Sequence, residues 1–216
     1  MAVIEQLTEE LISGNATAVK RLTSEALEAG IPPGTILEQG LIAGMNVVGA
    51  RFRNCEMFLP EVLTAARAMK AGVEKLEPLF AAAGVKPAGK VLMGTVKGDL
   101  HDIGKNLVAI MLRGAGFEVI DLGVGVTAQK FIDAVVVHDP DIIGMSALLT
   151  TTMMQMKTNI TALAQAGVRD QVKIMIGGAP VNKTFADEIG ADAYGRNASD
   201  AVEKARELMR LLKETQ

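Results

Sequence analysis

From Lys90 onward, short unbroken aliphatic runs alternate with helical stretches, and this alternation narrows the fold more than any other feature of the chain. Runs at 90–96, 117–121, 141–145, 172–176 and 192–194 read as strands. Stretches at about 104–114, 127–137, 153–166, 182–189 and 198–213 carry helical periodicity. Strands that are apolar throughout must be covered on both faces, as in a parallel sheet flanked by helices. The alternation predicts an α/β fold with a Rossmann-like (flavodoxin-like), doubly wound, parallel five-stranded sheet. Such sheets bind ligands beyond the carboxyl ends of their strands.

The chain before Lys90 has a different pattern. Ile4, Leu7, Leu11 and Ile12 form a short stripe. Asn15 is placed to cap a second helix, with Val19, Leu22, Ala26 and Leu27 facing inward. Ala29-Gly30-Ile31-Pro32-Pro33 ends that helix. A third helix is predicted from about Gly34 to Phe52 and a fourth from about Pro60 to Ala83. Short connections suggest an N-terminal four-helix bundle. Ala83 to Gly89 reads as a linker, so the expected domains are 1–84, helical, and 85–216, α/β.

Composition removes several function classes. The chain is 49% hydrophobic but only 3% aromatic, so its core is aliphatic. A net charge of −3 argues against nucleic acid, which needs a basic face. No apolar run approaches the roughly 18 residues of a membrane span. The opening MAVIEQLTEELISGN lacks the basic start of a signal peptide. The single cysteine, Cys55, excludes an internal disulfide and fits a reducing cytoplasm, the expected location. Two histidines and one cysteine are too few for an ordinary zinc site. A metal bound here must bring most of its own ligands.

Three motifs follow successive strand ends. The first is Gly98-Asp99-Leu100-His101-Asp102-Ile103-Gly104, with Asp99 placed to orient a metal-bound imidazole. Alone, Asp-x-His is more often a loop or capping pair. The second is Ser146-Ala147-Leu148 followed by Thr150, Thr151 and Thr152, a stretch that also suits a strand-end turn and a helix cap. The third is Gly177-Gly178-Ala179-Pro180, by itself an ordinary strand-to-helix turn.

In this order and spacing the three motifs resemble the DxHxxG…SxL…GG pattern of cobalamin-binding domains. The chain is similar to the corrinoid proteins of B12-dependent methyltransferase systems of the methanol, methylamine, glycine betaine and aryl methyl ether type. It also resembles the cobalamin-binding module of methionine synthase. The resemblance covers nearly the whole chain, because the N-terminal half matches the helical cap of that family. It implies cobalamin (methylcobalamin or cob(I)alamin) or a related corrinoid as cofactor. The corrin supplies four nitrogens to cobalt, so one protein ligand suffices. By resemblance that ligand is His101, replacing the cofactor's own base, with Asp99 on the other ring nitrogen. Thr152 stands where methionine synthase has the serine completing this triad. Gly98, Leu100, Asp102 and Ile103 belong to the same cofactor-binding segment. Gly104, Gly177 and Gly178 would line the slot for the displaced nucleotide tail, with Ser146, Leu148, Thr150 and Ala198 also on the cofactor. Phe52 and Leu59, with Val62 nearby, match the apolar cover of the upper corrin face; composition alone would make them core.

The function implied is a methyl carrier, not catalytic by itself. Its partners would be a substrate:corrinoid methyltransferase, a methylcorrinoid:acceptor methyltransferase acting on a thiol coenzyme or tetrahydrofolate, and a reductive activase, with no nucleic acid and no membrane. The family's rivals are the small subunit of a radical mutase, which places a barrel over the corrin where this chain has a helical cap, and a B12 sensor, which needs an output module. A flavodoxin-like module without B12 is the third. His138 reads as an exposed helix-end residue, Cys55 as incidental, and Met153, Met154 and Met156 as adaptable core filler. Nothing in the chain selects one methyl donor.

Overall fold

The computed structural model describes residues 2–214. The chain forms two compact units, one running to Pro87 and including Gly114–Gly116, the other comprising Ala88–Arg113 and the chain from Phe117 onward.

The first unit is helical. Helices α1 (Ala2–Ile12) and α2 (Ala16–Glu28) are followed by α3 (Pro33–Thr35), a π-helical segment (Ile36–Ile42), α4 (Ala43–Arg53) and α5 (Leu59–Ala83). Asn15 caps α2 as expected, its side chain accepting from the Ala18 N–H at 3.1 Å. Apolar periodicity predicts an ordinary helix over 34–52, but its first half is π-wound. Wider turns displace carbonyls from their usual partners. The Thr8 hydroxyl lies 3.1 Å from the Gly40 carbonyl and 3.4 Å from that of Gln39. Gly40 allows this approach, since a Cβ there would come within 2.7 Å of a Leu7 methyl. Helix α5 continues through Pro78, in keeping with the expected span from about Pro60 to Ala83. Among the described residues no helix is long and apolar enough to cross a membrane.

The second unit contains β1 (Lys90–Thr95), α6 (Ile103–Gly114), β2 (Glu118–Asp121), α7 (Ala128–His138), β3 (Ile142–Ser146), α8 (Thr150–Gln165), β4 (Lys173–Gly177), α9 (Lys183–Glu188), β5 (Ala193–Gly195) and α10 (Ala198–Glu214). The five strands are parallel, in the order β2-β1-β3-β4-β5. This is the flavodoxin-like, doubly wound arrangement expected. One face packs Leu92, Ile143 and Ile174 against Phe131, Met156 and Phe185 from the covering helices. The register aligns Thr95 with Ser146, Ser146 with Gly177, and Gly177 with Gly195. All three motifs therefore emerge from one row at the carboxyl edge. Strand β2 lies at one margin of the sheet, where Arg113 Nη2 donates to the Val119 carbonyl at 3.1 Å and Lys130 Nζ to that of Leu122 at 2.7 Å. Helix α8 begins at Thr150, three residues before the predicted start. The threonine run forms its first turn, and Leu149 precedes it without a side-chain cap.

Candidate functional site

The site is organised by a buried carboxylate. After β1 the chain turns through Gly98, whose φ of +82° favours a residue without a side chain. Asp99 follows and is 1% exposed. Its Oδ1 accepts the His101 backbone N–H at 3.0 Å and lies 2.8 Å from His101 Nδ1. Its Oδ2 accepts the Thr152 hydroxyl at 2.6 Å, the Leu148 N–H at 2.8 Å and the Leu149 N–H at 3.4 Å. Burial raises the carboxyl's pKa, but the hydrogen bonds from Thr152, Leu148 and His101 together outweigh it and hold the group well below the usual carboxylate range. An ionised carboxylate only accepts, so Nδ1 carries the proton of that contact. The lone pair of neutral His101 is thereby placed on Nε2. Its side chain is 53% exposed, and among the described residues Nε2 has no hydrogen-bond partner. The imidazole is thus fixed in tautomer and open to a ligand on its far nitrogen.

The remaining predicted positions differ in what surrounds them. Leu100 and Ile103 are 76% and 75% exposed, and Leu148 is also exposed. They form apolar surface beside the imidazole with no partner in the core. Asp102 accepts from the Asn106 side chain at 3.0 Å. Ser146 ends β3, half-buried, and Thr150 is exposed on the first turn of α8. Ala198 is buried at the start of α10, where Asn197 Oδ1 accepts the Asp200 N–H at 2.8 Å and Asp200 Oδ2 accepts the Arg196 N–H at 2.9 Å.

The glycines separate into two kinds. A Cβ on Gly178 (φ +131°) would lie 1.8 Å from the Ala147 carbonyl oxygen, and one on Gly177 would lie 3.0 Å from that of Gly195. Close backbone packing within the protein already requires both residues to be small. Gly104 is different: it has no unusual φ, and a Cβ there would meet nothing within 4 Å. The fold supplies no reason for glycine at that position.

Phe52, Leu59 and Val62 belong to the helical unit. Phe52 is half-buried in α4, Leu59 opens α5 at 36% exposure, and Val62 is fully buried.

Among the described residues no three of His, Cys, Asp and Glu converge as a metal cluster. One presented imidazole can instead complete the coordination of a metal that arrives with its other ligands. The exposed apolar side chains of Leu100, Ile103 and Leu148 suit a broad, apolar macrocycle, and the backbone at Gly104 is exposed and open to close approach. These residues fit a corrinoid.

Sequence reasoning did not single out Thr95, Lys105, Asp121 or Leu149. The Thr95 hydroxyl donates to the His101 carbonyl at 2.9 Å. Lys105, 2% exposed, donates to Asp121 Oδ2 at 2.6 Å. A lysine in the first turn of a helix opposes the helix dipole, and that is the signal that would have marked it.

Two descriptions of a B12 binding domain match the chain, over residues 89–203 and residues 3–77. The chain is 47% identical over 212 residues to dimethylamine corrinoid protein 3 of Methanosarcina acetivorans, covering 97% of this chain and 100% of the relative. It is 45% identical to trimethylamine corrinoid protein 2 of the same organism, covering 94% and 95% respectively. Among solved structures it is similar to the methanol:cobalamin methyltransferase complex MtaBC of Methanosarcina barkeri, with TM-score 0.87 and 32% identity over 97% of this chain and 80% of that one.

Proposed function

Because the chain belongs to the B12-binding corrinoid proteins of methylamine and methanol methyltransferase systems, we propose that it carries a methyl group between two methyltransferases with His101 as the axial ligand of a base-off corrinoid. The bound corrinoid supplies a cobalt centre that accepts and yields the methyl group. The residues of this chain hold and orient that centre. His101 presents Nε2, Asp99 fixes the ring through Nδ1, and Thr152 with the Leu148 amide holds Asp99. Leu100, Ile103 and Leu148 offer apolar surface that excludes water from the macrocycle. Gly104 leaves room for the displaced nucleotide tail, with Ser146, Thr150, Gly177, Gly178 and Ala198 along the same strand ends. Phe52 and Leu59 are assigned to the cover of the upper face by their resemblance to methionine synthase, with Val62 nearby and buried in the helical unit's own core.

The single observation that carries this reading is the Asp99 carboxylate, shared between His101 Nδ1 and the donors of the β3–α8 turn. The first partner is a substrate:corrinoid methyltransferase, the second a methylcorrinoid:acceptor methyltransferase acting on a thiol coenzyme or tetrahydrofolate, with a reductive activase restoring the reduced carrier. The identities to relatives named for dimethylamine and for trimethylamine are nearly equal, and donor selectivity is assigned to the partner.

Reconstitution with cobalamin tests the axial role. The Co(II) form, with histidine labelled by ¹⁵N, should show one histidine nitrogen on cobalt by electron paramagnetic resonance. His101→Ala should lose that splitting and still bind the cofactor. An unchanged spectrum in His101→Ala would refute the assignment.

A further inference from the structure

Lys105 is the least expected side chain of the α/β unit. It is 2% exposed and stands in the first turn of α6, where the helix dipole disfavours a cation. A charge is buried only with partners. Its ammonium donates to Asp121 Oδ2 at 2.6 Å and to Asn106 Oδ1 at 2.7 Å. Each partner passes the constraint on. Asn106 Nδ2 donates to Asp102 Oδ2 at 3.0 Å, immediately after His101. Asp121 Oδ1 accepts the Gly123 N–H at 2.9 Å. The Gly123 carbonyl accepts from Thr95 N at 3.0 Å, and Gly125 N donates to the Asp99 carbonyl at 3.1 Å. Thr95, tied to this turn, also holds the His101 carbonyl through its hydroxyl at 2.9 Å.

Two separate grips therefore act on the His101 segment. The Asp99 carboxylate orients the ring, and the network around Lys105 holds the backbone that carries the ring. Building on the axial role proposed for His101, we propose that Lys105 and Asp121 are positioning residues that fix the ligand loop, through the turn after β2 on one side and Asn106–Asp102 on the other. Among the described residues neither Lys105 nor Asp121 hydrogen-bonds to His101, and the pair acts through these intervening hydrogen bonds. A plain stabilising ion pair would need no link to both flanks of the ligand loop.

The test uses the full chain with Lys105→Met, which keeps the length of the side chain and removes its charge, and the double variant Lys105→Met/Asp121→Asn, which also removes the unpaired carboxylate. Two readouts are taken. One is amide hydrogen exchange at Asp99–Ile103 and Gly123–Gly125 in the cofactor-free protein. The other is the fraction of Co(II) corrinoid showing a histidine nitrogen. In the double variant thermal stability should recover toward wild type, with exchange at both segments still at least ~10-fold faster and the histidine-bound fraction reduced. If Lys105→Met fails to fold, Asp121→Asn alone carries the same two readouts. Exchange at wild-type rates, or exchange and histidine-bound fraction that simply follow thermal stability, would overturn the proposal. A wild-type protein lacking any histidine nitrogen on cobalt would instead refute the axial role, and the exchange data would still decide the clamp.

Discussion

Gly104 and Gly178 were read from sequence as two parts of one slot, yet alanine should act on them in opposite ways. At Gly178 a new Cβ would stand 1.8 Å from the Ala147 oxygen, in a backbone conformation of φ +131°. The obstructing atom is main chain, so no rotamer change relieves it. Backbone strain of about 1–3 kcal/mol and overpacking of about 1–3 kcal/mol give a destabilisation of roughly 2–6 kcal/mol. For a unit of this size that lowers Tm by on the order of 10–20 °C. At Gly104, in the first turn of α6, the same substitution meets open space, and helix propensity favours alanine by up to ~1 kcal/mol. Tm should hold or rise slightly. Corrinoid affinity should fall about tenfold, equivalent to ~1.4 kcal/mol, because the methyl occupies room left for the ligand. Thermal unfolding by circular dichroism and cofactor titration by visible absorbance measure the two effects. A Gly104→Ala protein that loads corrinoid like wild type refutes the ligand reading of Gly104. A Gly178→Ala protein with unchanged Tm refutes the packing argument.

Thr152→Val removes the 2.6 Å hydrogen bond to Asp99 at nearly constant volume and should cost about 1.5–3 kcal/mol, measured by urea unfolding. Because the folded pKa of Asp99 is depressed, its stabilisation is complete above the unfolded value near about 4 and is lost as pH falls through the folded value. In Thr152→Val the folded value rises toward the unfolded one, so the acid loss of stability should be smaller and should be complete at a higher pH; superimposable acid limbs would contradict this. Asp200→Ala leaves the Arg196 N–H without its acceptor at the start of α10 and should cost about 1–2 kcal/mol in the same assay. The Asp200 carboxyl is pushed up by burial but brought below its ordinary value by hydrogen bonds from Arg196, so the penalty should shrink as pH falls through that value. Thr8→Val should destabilise the helical unit by about 1 kcal/mol, since its hydroxyl serves the carbonyls of the π-helical segment; no change in Tm would count against that role.

Much of the α/β unit was legible because buried parallel strands are apolar throughout. Each predicted strand falls within a residue of its place at either end. The start of α8 was misplaced because Thr150–Thr152 carry no apolar period, and a threonine run resembles a cap. The π-helical segment Ile36–Ile42 was illegible for another reason: its cause lies partly on α1, in the Thr8 hydroxyl and the Leu7 methyl against Gly40. The Asp99-x-His101 pair was visible on its own at a strand end, but it became specific only once the Ser146 and Gly177 motifs joined it by resemblance. The hydrogen bond from Thr152 is tertiary, crossing from α8 to the loop after β1. Lys105, in the first turn of α6, and Asp121, at the end of β2, are far apart in sequence, and only the fold joins them.

The long side chains of Arg113 and Lys130 beside β2 have a consequence for traffic on and off this molecule. A marginal strand with unclaimed carbonyls invites another chain to continue the sheet, and such pairing is slow to undo. Here the Val119 oxygen, and that of Leu122 one residue past the strand, are already taken by flexible cations. Under the proposed role, a carrier that leaves one enzyme to visit the next is better served by contacts that release quickly. Guarding that strand steers its encounters toward side-chain surfaces and away from backbone zippering.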